Sequence, residues 1–279
     1  MNDKTKAEAV KWIMTAFMWG LGITMLMPLI WMISTSFKFE SDVFTFPIQW
    51  IPERINGFEN YKEVWGERYQ FGLKYWNSIK VTVLATVFQV LVSALGAYGF
   101  TKVKWKYREQ LFLVYLATMM IPPQVTIVSQ FIIMRQINLY NTHLGLILLN
   151  TFSVYGVFLL KQAMMSIPES LSESAKIDGA NHFRVFWQII FPLVRPSVAT
   201  LAILKFTWTW NDYQGPLVFL NSESLYTIQL GMKQFATEAG TYYSLIMAAA
   251  VSAILPLVIV FIIGQKSVIG GIASGGVKG

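Results

Sequence analysis

The chain of 279 residues contains no cysteine. Disulfide frameworks and thiolate metal sites are thereby excluded. It has two histidines, His143 and His182, far apart and in different segments, which leaves no histidine cluster for a metal. No G-x-x-x-x-G-K-S/T sequence occurs, so the chain does not bind ATP in that way by itself. No nucleophile, base and metal constellation of the kind a membrane enzyme needs is visible either. Charge is scarce as well. Charged residues make up 13% of the chain, against about a quarter in soluble domains.

What is abundant is apolar. Hydrophobic residues are 54% of the total and the mean hydropathy is +0.49. That is too much apolar surface for one soluble core, and the chain reads as a polytopic membrane protein. Its formal charge of +7 then reflects basic cytoplasmic loops rather than a nucleic-acid partner.

A helix needs about 20 mostly apolar residues to cross the hydrocarbon core. Six segments qualify: 12–36, 77–100, 111–134, 143–164, 197–220 and 243–263. The first is predicted to be a retained span. Its apolar run is long for a signal sequence, and no small-x-small cleavage site follows it. With the N-terminus in the cytoplasm, 13 of the 22 Lys and Arg residues fall inside. The decisive stretch is TKVKWKYREQ, a short connection with Lys102, Lys104, Lys106 and Arg108, because short loops carry the charge rule best. Both termini are therefore predicted to be cytoplasmic.

The external loop 37–76 balances its cations against six acids. Pro47, Pro52 and Gly57 predict short irregular turns and one helix lying on the outer surface. That loop either meets an external partner or caps the spans. Pro28, Pro122–Pro123, Pro216 and Pro256 lie in or near apolar runs and predict kinks.

The fifth span carries Lys205 and Asp212 with Asn211 and Gln214. Ionisable groups in a span usually face a cavity or a partner. Two helical turns separate the two charges, about 10 Å along the axis, so no direct salt bridge is expected without a break near Gly215–Pro216. Lys205, Trp208, Asn211, Asp212 and Gln214 are read as the lining of a translocation pathway. The competing reading has Lys205 snorkelling and Asp212 at the interface. Trp208, Trp210 and Tyr213 suit sugar stacking and equally suit interface anchoring. His143 and His182 read as satisfied polar residues rather than a proton relay.

The loop 166–196 is the most informative stretch. Ser166 and Glu169 predict a capping box, with Pro168 in the first turn of a short helix. Glu169, Glu173, Lys176 and Asp178 keep that helix out of lipid, since each central charge costs about 2.5–3.5 kcal/mol on insertion scales. Gly179 can take positive φ and end it; Asn181 can cap a second helix. That second helix, with Phe183, Phe186, Trp187 and Ile189 before Pro192, is roughly 15 Å long and cannot span. It needs a surface to bury against, either its own span ends or a cleft on a partner.

Glu173-Ser174-Ala175, Gly179, Ile189 and Phe191-Pro192 together resemble the EAA loop of ABC-importer permeases. Ser174 and Phe191 depart from that pattern by modest changes of size. The run WNDYQGPLVF at 210–219, FENYKEV from Phe58, NSIKVT from Asn77 and the tail GGVKG at 275–279 are similar to the carbohydrate, maltose-transporter-like branch. The resemblance implies an all-α polytopic membrane protein, a type I ABC importer permease with six transmembrane helices and a cytoplasmic two-helix coupling loop. It implies a transport subunit rather than an enzyme, in a bacterial cytoplasmic membrane, importing sugars and oligosaccharides foremost. Glu173, Ala175, Gly179, Phe183, Phe186, Ile189 and Pro192 would dock on a cytoplasmic ATPase dimer. ATP and Mg would sit on that partner, and no cofactor on this chain. A second permease subunit and an extracytoplasmic sugar-binding protein complete the expected assembly. Two alternatives stand beside it. One is an ABC permease for a non-sugar solute, against which WNDYQGPL argues. The other is an ion-coupled carrier using Lys205 and Asp212 without any ATPase.

Overall fold

The structure is a computed structural model that describes residues 3–237 and 240–276. The GGVKG tail leaves the described residues after Gly276, and Lys278 lies outside them. The chain divides into two compact units, one of residues 1–71 and 232–255, the other of 72–231 and 256–279.

The first unit begins with α1 (Asp3–Ser36), a 34-residue helix. Its 27-residue apolar part, Val10–Ser36, buries none of its most hydrophobic window inside the chain, so that surface is left for its surroundings. In the segment that follows, the described residues up to Gln70 hold one helix of more than one turn, α2 (Gly57–Trp65), as the punctuation predicted, and the next helix starts at Phe71, six residues ahead of the predicted span. Asn60 ties α2 to the end of α1, donating to the carbonyl oxygens of Ser36 (2.9 Å) and Lys38 (2.8 Å).

The second unit contains α3 (Phe71–Thr101), whose first residue belongs to the other unit, and a run of shorter helices. These are α4 (Arg108–Ala117), α5 (Pro123–Gln136), α6 (His143–Leu149), α7 (Val154–Met165), α8 (Glu169–Ile177), α9 (His182–Val185), α10 (Phe191–Leu193), α11 (Arg195–Trp210), α12 (Gln214–Phe219) and α13 (Ile228–Gly231). Among the described residues, strand is confined to an antiparallel pair in the first unit, β1 (Ala236–Thr237) and β2 (Gly240–Thr241). The last helix, α14 (Tyr243–Gly276), starts in the first unit and continues into the second beyond Leu255. Glu40 caps its start. The carboxylate accepts from the backbone N–H of Tyr243 (3.0 Å) and of Ser244 (2.8 Å), and from the Ser244 hydroxyl (2.7 Å).

Among the described residues three helices are long and apolar enough to cross a membrane, and up to six spans result if each bent pair counts as one. Segments that hydropathy alone reads as straight spans are broken. The run 111–134 becomes α4 and α5, bent by 98°. Pro123 has no N–H to donate and forces Pro122 into an extended backbone, φ −60° and ψ 133°. The run 143–164 becomes α6 and α7, bent by 47°, because Ser153 starts a new helix by accepting from the Gly156 N–H at 3.0 Å. In the run 197–220 the helix stops at Trp210 and resumes as α12.

The second unit's main core joins α3, α4, α7 and α11 to the 166–196 loop. Tyr98, Phe112, Leu160, Met164, Val185, Phe186, Ile190 and Leu201 are all buried in it. The loop is thus welded to the span ends by the same apolar burial that holds the spans together.

Candidate functional site

The start of α8 corrects one expectation. Ser166 is no N-cap; its hydroxyl donates back to the Ala163 carbonyl at 2.8 Å and closes α7. Pro168, in an extended conformation, takes the N-cap position with no side-chain cap. A capping box needs its serine at the N-cap itself, and the proline moves the helix start past it.

At the other end of α8 the glycine behaves as predicted. Gly179 has φ +82°. Its N–H donates to the Lys176 carbonyl (3.0 Å), and the Ala180 N–H donates to the Ala175 carbonyl (2.9 Å). This pair of bonds is a Schellman motif, which requires a left-handed residue at its centre. Asn181 then accepts from the Arg184 N–H at 2.9 Å and opens the next helix. The two helices are joined at Gly179 by a tight elbow, and the ends that meet there are both satisfied.

The second helix is irregular. After α9, residues Phe186–Ile190 form a π turn, in which the Phe191 N–H reaches back to the Phe186 carbonyl. Pro192 cannot donate the N–H that regular helix would take from that position. The widened turn absorbs the gap before α10 and the 78° bend into α11.

Exposure separates the predicted docking set. Phe183 is 69% exposed and Glu173 points to solvent. Ala175, Ile189 and Pro192 are half-buried. Phe186 is 1% exposed, packed edge-on against Tyr98 and Trp187 with ring centroids at 5.3 and 5.0 Å. It anchors the loop to its own spans, and its ring is covered within this chain. Ile177, which sequence reasoning passed over, is 86% exposed beside the elbow. The available signal was an isoleucine in an otherwise polar turn.

The short basic connection after α3 braces this elbow. Lys102 donates to the Ile167 carbonyl at 2.7 Å. Lys104 pairs with Glu169 at 2.9 Å and reaches Glu173 at 4.0 Å. Hydrogen bonding to Lys104 holds the Glu169 carboxyl below its usual range, and the same bond holds the Lys104 ammonium above its own. Burial pushes Lys102 down, opposed by the charge of Glu169. His182 is satisfied by the Tyr98 hydroxyl at 3.1 Å, and His143 by the Leu225 carbonyl at 2.8 Å.

The second candidate set lies at the end of α11. Lys205 is 7% exposed and donates to Asn150 Oδ1 at 2.7 Å. Asn150 sits in the break between α6 and α7, where a polar residue interrupting LILLNTFS was the overlooked signal. Asp212 accepts from the Gly215 N–H at 3.0 Å and so holds the first turn of α12. Among the described residues no ion pair joins Lys205 to Asp212, as their spacing predicted. Trp208 is half exposed and meets Tyr155 edge-on at 5.7 Å. Asn211 binds the Thr207 carbonyl, and Gln214 is exposed. Trp210, in contrast, is buried and stacks on Phe206. Among the described residues no cluster of His, Asp or Glu could hold a metal.

Residues 89–272 match the family described as "Binding-protein-dependent transport system inner membrane component". The chain is 33% identical over 251 residues to the melibiose/raffinose/stachyose import permease protein MelC of Bacillus subtilis, covering 89% of this chain and 90% of that one. It is 30% identical over 281 residues to the arabinooligosaccharides transport system permease protein AraQ of Halalkalibacterium halodurans, covering 100% of each. Its fold is similar to a chain in the crystal structure of a bacterial ABC transporter involved in the import of the acidic polysaccharide alginate, with TM-score 0.83, 24% identity, and coverage of 93% of this chain and 97% of that one. The matched region takes in the elbow, its brace and the broken fifth span together, and the chain belongs to the inner-membrane components of binding-protein-dependent transport systems.

Proposed function

We propose that the chain is the membrane-spanning permease subunit of an ATP-driven importer of sugars, oligosaccharides foremost, and that its elbow couples the motion of an ATPase to the spans. One observation carries this reading. A capped elbow at Gly179 leaves Ile177 and Phe183 exposed, while Phe186 and Ile190 are sunk into the core that the elbow shares with the spans. A force applied to the outward pair is transmitted to α3, α7 and α11 through packed side chains, because close-packed interiors transmit strain. The sugar class is supported by the names of the similar permeases, which import melibiose, raffinose and stachyose, or arabinooligosaccharides.

In this reading a cytoplasmic ATPase dimer holds ATP and Mg, and this chain holds no cofactor. A second permease pairs with it, and an extracytoplasmic binding protein delivers the sugar. Both termini face the cytoplasm. Closure of the ATPase dimer pushes the elbows and turns the spans from inward-facing to outward-facing; hydrolysis resets them. Lys205, Trp208, Asn211, Asp212 and Gln214 line the route at the break between α11 and α12. The break leaves backbone groups at membrane depth, which is tolerated where they line a cavity or are buried in protein.

The test separates the outward pair from the anchor. Ile177→Asp with Phe183→Asp is expected to abolish co-purification of the ATPase while leaving thermal stability unchanged. Phe186→Ala is expected to lower stability by about 3–5 kcal/mol, the usual cost of emptying a buried aromatic site. Retention of the ATPase by the double variant would sink the docking role.

A further inference from the structure

The loop between α1 and α2 exposes more apolar surface than a water-facing connection of its length needs. Phe46 is 94% exposed, Ile51 84% and Ile55 73%. The loop does not rise clear of α1. Trp50 folds back edge-on against Trp31, with ring centroids 5.6 Å apart. Trp31 lies five residues before the end of α1 at Ser36, about 7.5 Å down the axis. The Lys38 ammonium lies over the Trp31 ring, 4.1 Å from its centroid, and the residue is 1% exposed. Its charge is therefore covered where the loop meets the helix. Arg54 and Asp42 are paired, one guanidinium nitrogen donating to both carboxylate oxygens at 2.8 and 2.9 Å, while Glu53 is exposed and free to turn toward water.

Depth follows from helix length. Val10–Ser36 is 27 residues, about 40 Å, against a hydrocarbon core of about 30 Å. A centred core would end just beyond Trp31, so Trp50 reaches its boundary. The Trp50–Trp31 contact thus sets the loop beside α1, whose apolar window the chain leaves uncovered.

We propose that residues 44–55 form an interfacial membrane anchor, with Phe46, Ile51 and Ile55 seated at the headgroup–acyl boundary of the leaflet in which α1 ends. The occupant of this face is lipid. Aromatic side chains favour that depth and apolar ones gain by leaving water there, and the covered Lys38 and paired Arg54 lower the opposing charge, leaving Glu53 as the acid that must face the headgroup side. The anchor fixes the height of α1 independently of any partner.

The absence of cysteine makes the test direct. Single Ile51→Cys and Phe46→Cys substitutions, with Glu59→Cys for comparison, carry an environment-sensitive fluorophore. The full chain is reconstituted in phosphatidylethanolamine–phosphatidylglycerol vesicles, alone and co-purified with its transporter partners. The labels at 51 and 46 are expected to shift to the blue in both preparations. They should lose intensity to doxyl-labelled lipid and keep it in aqueous iodide, with the reverse at position 59. Quenching of 51 and 46 by iodide in vesicles would overturn the proposal in favour of a water-facing surface. Protection from both quenchers when the partners are present would overturn it in favour of a protein interface. Protection from both in the chain alone would mean that the loop packs on its own protein.

Discussion

Replacing Gly179 tests the elbow by a perturbation that touches nothing else. No atom lies within 4 Å of a Cβ built at this position, so a substitution creates no clash with neighbours. The effect is conformational. A left-handed φ of +82° costs an ordinary L-residue about 1–2 kcal/mol. Asparagine bears it best and β-branched residues worst. If the turn instead relaxes to negative φ, the two Schellman bonds at 3.0 and 2.9 Å are lost, at about 1 kcal/mol each. By either route a valine disfavours the observed elbow by about 2 kcal/mol, roughly a 30-fold change in its population. Folding stability of about 5–15 kcal/mol survives that loss. In proteoliposomes the ratio of solute transported to ATP hydrolysed is expected to stay near wild type for Gly179→Asn, fall for Gly179→Ala, and collapse for Gly179→Val, with the ATPase co-purifying in all three. Normal coupling in the valine variant would refute the reasoning, and so would an asparagine variant as damaged as the valine one.

Asn150→Leu should destabilise the chain more than Lys205→Met. The first strands a buried ammonium, which costs about 3–5 kcal/mol; the second leaves only a neutral amide without its donor, about 1–3 kcal/mol. Thermal unfolding in detergent ranks them, and the opposite order would contradict the pairing. Glu40→Ala should cost about 1–2 kcal/mol by uncapping α14, with Glu40→Gln intermediate in the same assay. For the brace, the depressed carboxyl of Glu169 contributes attachment of α8 in full above its ordinary value of 4.5 and loses it as pH falls through its lowered value. The raised Lys104 contributes in full below 10.5 and loses its share only as pH rises through a still higher value. Amide exchange in α8 is therefore expected to quicken in acid. Lys104→Ala should remove that acid limb, and salt should shrink it because both partners are exposed.

Much of this protein was legible from residue order alone. Apolar runs of about 20 residues announce membrane spans without any contact being known, because lipid acts on each segment independently. The elbow was equally readable. A glycine flanked by helix-forming and capping residues is a local device, and its Schellman bonds and the Asn181 cap involve neighbours within five positions. Local devices failed only where two competed, as when Pro168 displaced Ser166 from its cap. Tertiary structure decided what local chemistry could not. Phe183 and Phe186 are three residues apart in one aromatic segment, yet one faces out and the other is buried. The difference lies in Tyr98, 88 positions upstream of Phe186. Likewise Lys205 acquired its partner from a break 55 residues away. Helix direction and capping are properties of short chain segments, whereas the face a side chain turns inward is set by whichever distant surface folds against it.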